Sequence, residues 1–119
     1  MLDIDMEFRK GILFVRLSGE FSVSNCSKLN DKLKKLVNEN NVRFITFNVF
    51  GLSYIDLEGI NTILRYNQAL SKINGKALIC GIENDFVKSR MYKSNILSSI
   101  FETKDELGAI NYINLGGYI

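Results

Sequence analysis

The chain has 119 residues, 46% hydrophobic and 24% charged, with a formal net charge of +2 and no histidine. That length and balance describe one globular domain with a single core and exclude a disordered chain. The small charge, with lysines spread along the sequence, excludes the concentrated basic face of a nucleic-acid binder, and the missing histidine removes the commonest general base and metal ligand.

The amino terminus alternates apolar residues (Leu2, Ile4, Met6, Phe8) with Asp3, Asp5 and Glu7, the pattern of a half-exposed strand and the opposite of a signal peptide. No apolar run approaches the ~18 residues needed to span a bilayer, so a cytoplasmic chain with no membrane span is expected. Arg9-Lys10-Gly11 reads as a tight reversal into a second strand, Ile12 to Leu17, which makes an antiparallel hairpin. Ser18 to Ser22 reads as a loop. Ser24 or Asn25 then caps a helix with the stripe Cys26, Leu29, Leu33, Leu36 and Val37, and with Lys28, Lys32, Lys34 and Lys35 on a solvated outer face.

Asn38 to Asn41 ends that helix. Phe44, Ile45, Phe47, Val49 and Phe50 form the near-continuous apolar run of a strand covered on both faces, and Gly51 stops it. The period then switches: Leu57, Ile60, Ile63, Leu64, Leu70 and Ile73 recur at helical spacing, with Asn74-Gly75 as the C-terminal stop and Gly75 in the left-handed position. Lys76 to Ile82 reads as a buried strand and Glu83 to Lys93 as a short helix carrying Phe86, Val87 and Met91. A short strand falls within Ile96 to Phe101, and a last helix spans Lys104 to Ile113 with Leu107, Ile110 and Ile113 inward. Cys26 and Cys80 sit inside apolar patterns, as reduced core residues do.

The order β-β-α-β-α-β-α-β-α predicts a single α/β domain over residues 1–113, followed by a loose tail at 114–119. Its sheet is mixed and mostly parallel, with about five strands, an opening hairpin and about four helices. Functional surfaces in such sheets lie beyond the carboxyl ends of the strands, where Asp56 to Gly59 falls. Asp56 fits an N-cap, and Glu58 in the first turn meets the positive end of the helix dipole; helix initiation alone accounts for both acids. Gly59 costs up to ~1 kcal/mol relative to alanine at that position, which points to a close approach to its backbone by a partner surface or a phosphate. Asp56 and Glu58 diverge and form no opposed acid/base pair, and there is neither a phosphate-cradling glycine loop nor GxGxxG. A non-enzymatic interaction module without a cofactor is expected.

Arg16-Leu17-Ser18-Gly19-Glu20-Phe21 and the stretch Phe47 to Gly59, with the order of elements, resemble the STAS domain, and more narrowly the bacterial anti-sigma factor antagonists. The most specific part is Leu52-Ser53-x-x-Asp56-x-x-Gly59. The resemblance implies a single α/β domain that binds an anti-sigma factor, a serine kinase, and frees a sigma factor. In the family the kinase phosphorylates a Ser or Thr just before the glycine, which breaks the complex. The usual Asp-Ser-Ser-Gly or Asp-Ser-Thr-Gly is here Asp56-Leu57-Glu58-Gly59, so Glu58 stands at the phosphoacceptor position and cannot be phosphorylated. Many members also carry an Asp where this chain has Ser22, so a hydroxyl and a carboxylate have changed places, and Ser22 is positioned to hydrogen-bond Glu58 if the loops adjoin.

The resemblance thus implies a partner-binding face of Ser22, Asp56, Leu57, Glu58, Gly59 and Thr62 on a monomer or weak dimer. Phosphoserine carries about −1.5 to −2 charge against the single charge of glutamate. Glu58 therefore makes either a locked antagonist that no kinase switches off, or a chain that has left its kinase for another partner. Ser53 and Thr62 are the alternative phosphosites. The competing readings are a STAS subunit of another system, such as a stress-signalling assembly or a lipid-transport complex, and a small-ligand or nucleotide-binding module using the amides at the helix start.

Overall fold

Apolar alternation at the amino end, buried runs in the middle and amphipathic stripes between them assemble as expected in the computed structural model, which describes residues 1–116. The elements are β1 (Leu2–Arg9), β2 (Ile12–Phe21), α1 (Cys26–Glu39), β3 (Phe44–Ile55), α2 (Leu57–Ser71), β4 (Lys76–Cys80), α3 (Asp85–Ser94), β5 (Phe101–Thr103) and α4 (Glu106–Asn114). A 3₁₀ turn lies at Ile96–Ser98. The strands form one sheet in the order β1-β2-β3-β4-β5, with β1 antiparallel to β2 and the others parallel. Lys10 and Gly11 both take positive φ, the two-residue geometry that matches the twist of a hairpin.

Strand alternation divides the core. Leu13, Val15, Leu17, Ile45, Phe47, Ala77 and Ile79 face α1, α2 and α3, where they meet Leu29, Leu33, Ile60, Ile63, Leu70, Val87 and Met91. Ile12, Phe14, Phe44 and Leu78 face the other way and are covered by Ala109, Ile110 and Ile113 of α4. Both cysteines are buried and unbridged.

Several expectations need correction. Ser18 to Phe21 is not a loop but the end of β2, and Gly51 does not stop β3, which runs on to Ile55. Gly51 is there for contact: a Cβ would lie 2.4 Å from the Ser18 hydroxyl oxygen. The strands carry register shifts between Arg16 and Ser18 and between Gly19 and Glu20, which let the irregular stretch remain paired. At the end of α2 the left-handed residue is Asn74, not Gly75. Gly75 is small because the Arg43 carbonyl passes where a Cβ would be. The late strand is Phe101–Thr103, and the first half of the Ile96 to Phe101 stretch expected to hold it is a 3₁₀ turn. Phe50, Leu57, Ile73, Phe86 and Leu107 point outward. Lys28 is tied to the Leu2 carbonyl, unlike a freely solvated lysine. Of the expected tail, residues 117–119 lie outside the described residues, and Leu115 is exposed.

Candidate functional site

The long β2 and β3 deliver Phe21 and Ile55 side by side to the carboxyl edge of the sheet, immediately before α1 and α2. Asp56 caps α2 as expected: its Oδ1 accepts from the Gly59 amide at 2.9 Å. Its other oxygen accepts from the Val23 amide at 2.9 Å, so one carboxylate clamps the β2–α1 connection to the start of α2. The Asp56 amide donates to the Phe21 carbonyl at 3.2 Å, a second tie between the same segments.

Asn25 stands at the N-cap of α1, but its side chain caps no helix amide. Its Oδ1 accepts from the Ser22 amide at 2.9 Å and its Nδ2 donates to the Glu20 carbonyl at 2.7 Å, so it braces the connection from within. The segment is held by backbone and side-chain bonds at nearly every residue. A surface fixed in this way loses little conformational entropy when a partner meets it.

Gly59 is buried, and what approaches it is the chain itself. A Cβ there would lie 2.8 Å from the Phe21 carbonyl oxygen and 3.0 Å from Ile55. The expected close approach is real, but it closes the protein's own packing. Thr62 is 1% exposed, so it supports the site from inside. Its hydroxyl donates to the Glu58 carbonyl at 2.8 Å and accepts from Arg65 Nη2 at 3.0 Å.

Glu58 is on the surface, its side chain 43% accessible. Ser22 does not hydrogen-bond it: the Ser22 hydroxyl lies 2.9 Å from that of Ser24, and the Glu58 carboxylate meets Arg65 at 3.3 Å. Arg65 is two turns along α2, and the Thr62 hydroxyl holds its guanidinium where it reaches back. Ser53 is exposed, and its hydroxyl donates to the Gly19 carbonyl at 3.2 Å.

Leu57 and Val23 project beside this acid, 62% and 69% exposed. A cluster that the sequence reading missed continues the surface onto α3. Tyr54, two residues before the Asp56 cap, stacks on Phe86 with ring centres 5.2 Å apart, and the Arg90 guanidinium lies 4.9 Å from the Phe86 ring centre. The available signal was Phe86 and Arg90 four apart on α3, which places them on one face while Val87 and Met91 fill the core. The charges at this end are of both signs: Glu20 lies 3.6 Å from the amino terminus, Glu58 3.3 Å from Arg65, and Arg90 lies over the Phe86 ring.

Burial pushes the Cys26 thiol up, and that of Cys80 up to about 12, so neither is a ready nucleophile. No cluster of His, Cys, Asp and Glu suited to a metal ion occurs among the described residues.

A mostly parallel sheet entered by an antiparallel hairpin, with helices on both faces, is the architecture of the STAS domain. The family model for that domain matches residues 3–109, and the chain belongs to the STAS domain family. Among its relatives, an anti-sigma F factor antagonist of Paenibacillus polymyxa is 25% identical over 81 residues, which covers 68% of this chain and 69% of the relative. The unphosphorylated anti-sigma factor antagonist SpoIIAA superposes with a TM-score of 0.75 at 17% identity, over 94% of this chain and 98% of its own. An anti-sigma factor antagonist from Mycobacterium paratuberculosis reaches a TM-score of 0.85 at 10% identity, over 96% and 95% of the two chains. The fold is thus that of the anti-sigma factor antagonists. No described helix is long and apolar enough to cross a membrane.

Proposed function

We propose that this chain is an anti-sigma factor antagonist that docks through the carboxyl end of its sheet and is not switched by phosphorylation at position 58. The observation that carries the reading is the surface itself: Val23, Leu57 and Phe86 exposed on three different elements, with Asp56 clamping the first two together. Exposed apolar anchors on rigid backbone within a charged rim are what protein interfaces are made of. Charges of both signs around such a patch fix the orientation in which a partner docks. The relatives' common description as anti-sigma factor antagonists supplies the partner class, an anti-sigma factor, and the family resemblance implies that this partner is a serine kinase.

Of the expected face, Ser22, Leu57 and Glu58 are at the surface, Asp56 is the clamp behind them, and Gly59 and Thr62 act from inside. Tyr54, Phe86 and Arg90 join the surface. The charge at position 58 then decides the state. Phosphoserine would bring about −1.5 to −2. Glutamate brings a single negative charge, and Arg65 at 3.3 Å supplies the opposite one. The pair is exposed and worth at most ~1 kcal/mol, but it offsets the charge of Glu58 itself. This chain therefore reads as a permanently unphosphorylated, binding-competent antagonist.

Incubation with the cognate kinase and labelled ATP tests the switch. The wild type takes up no label, whereas Glu58→Ser is labelled at position 58 and then releases the kinase. Label on the wild type at Ser53, the exposed hydroxyl nearby, would overturn the unswitched reading.

A further inference from the structure

Arg65 also faces a second feature. Between α1 and α2 lies a groove of about 330 Å³ lined by Asn30, Lys34, Val37, Asn38, Arg65, Tyr66 and Ala69. That is the lower end of the size range of small-molecule sites. Its polar lining is rich in donors and holds no carboxylate. The Lys34 side chain has no ion pair or hydrogen bond among the described residues, nor does the Asn38 side chain. The Tyr66 hydroxyl donates to Asn30 Oδ1 at 2.7 Å, which occupies one lone pair of that oxygen and leaves the amide donors free of the tyrosine. Arg65 uses Nη2 on Glu58 and Thr62, so Nε and Nη1 remain. Val37, Ala69 and the Tyr66 ring supply apolar wall.

We propose that this groove binds a small anion with a flat apolar body, an aromatic phosphate monoester or carboxylate, held between Lys34 and Arg65. The unpaired lysine and the free edge of the guanidinium are a two-cation grip, and charge-assisted hydrogen bonds are the strong ones. Occupancy has a consequence at the docking surface. An anion that takes up the charge of Arg65 leaves Glu58 without its counter-charge, so the start of α2 gains negative charge, as phosphorylation would add it. The ligand replaces the missing phosphate as the inhibitory signal. Only this coupling rests on the proposed docking function; the site does not, and its test contains no partner protein.

The test is a titration of the ¹⁵N-labelled chain with phenyl phosphate, with inorganic phosphate, phenol and sodium chloride at matched ionic strength as comparisons. Phenyl phosphate is expected to give saturable amide shifts at Asn30, Lys34, Asn38, Arg65 and Ala69, and to bind about tenfold more tightly than inorganic phosphate; phenol and chloride give none. Lys34→Ala weakens binding about tenfold or more without changing helical content. The Glu58 amide moves on saturation of the wild type and not of Arg65→Met. Shifts that match sodium chloride, that centre on Lys32 and Lys35 outside the groove, or that survive Lys34→Ala would overturn the site. Equal affinity for inorganic phosphate would overturn the apolar body, and saturation with a stationary Glu58 would overturn the coupling.

Discussion

Asp56 does two jobs with one carboxylate, and only one was legible in the sequence. The N-cap follows from an acid placed just before an amphipathic run. The bond to the Val23 amide does not, because it joins positions 33 residues apart. Asp56→Ala is therefore expected to lose a cap and a clamp together, about 1–2 kcal/mol in denaturant unfolding, with the Val23 amide losing hydrogen-exchange protection. Gly59 shows the same limit. Its cost to the helix flagged a close approach, but the identity of the intruder, the Phe21 carbonyl, depends on the register of β2 and β3. A methyl group there must push backbone aside, so Gly59→Ala should destabilise by about 1–3 kcal/mol. A variant as stable as wild type would show that the contact is slack.

At the scale of elements, strands and helices were readable from period and caps, whereas strand ends were not. Gly19 and Gly51 look like breakers because a local reading sees only their neighbours in sequence. In the fold Gly19 takes a left-handed φ against the Met1 carbonyl, and Gly51 receives the Ser18 side chain, so both strands continue. The attachment of α4 was equally hidden. Arg16 on β2 donates from Nε and Nη2 to the two oxygens of Glu106 on α4, each at 2.8 Å, while reaching Asp5 and Glu7 on β1. Asn48 on β3 adds a fourth element through a 2.8 Å bond to Glu106. Arg16 and then Asn48 hold the Glu106 carboxyl below the usual glutamate range, against the opposing effect of its burial. A depressed carboxyl contributes its stability in full above its unfolded-state pKa of about 4.3 and loses it as pH falls through the folded value. Glu106→Gln is thus expected to destabilise by about 1–2 kcal/mol at neutral pH, with the gap from wild type narrowing in acid. A gap that stays constant with pH would remove this ion network from the stability of α4.

For the whole molecule, the domain class and the edge of the sheet that carries the candidate site were legible because strand–helix alternation fixes where a parallel sheet presents its loops. The extent of the surface was not, since Tyr54, Phe86 and Arg90 come together only when β3 and α3 are neighbours in space. The central claim is that an anti-sigma factor docks on this composite face. Calorimetric titration of the cognate anti-sigma factor into the wild type, Leu57→Asp and Phe86→Asp tests it most directly, because both replaced side chains are exposed and their loss leaves the core intact. The account predicts saturable binding to the wild type, and a loss of about 100-fold or more in each variant with unchanged thermal unfolding. Equal affinity in all three proteins, or no binding by the wild type, would contradict it.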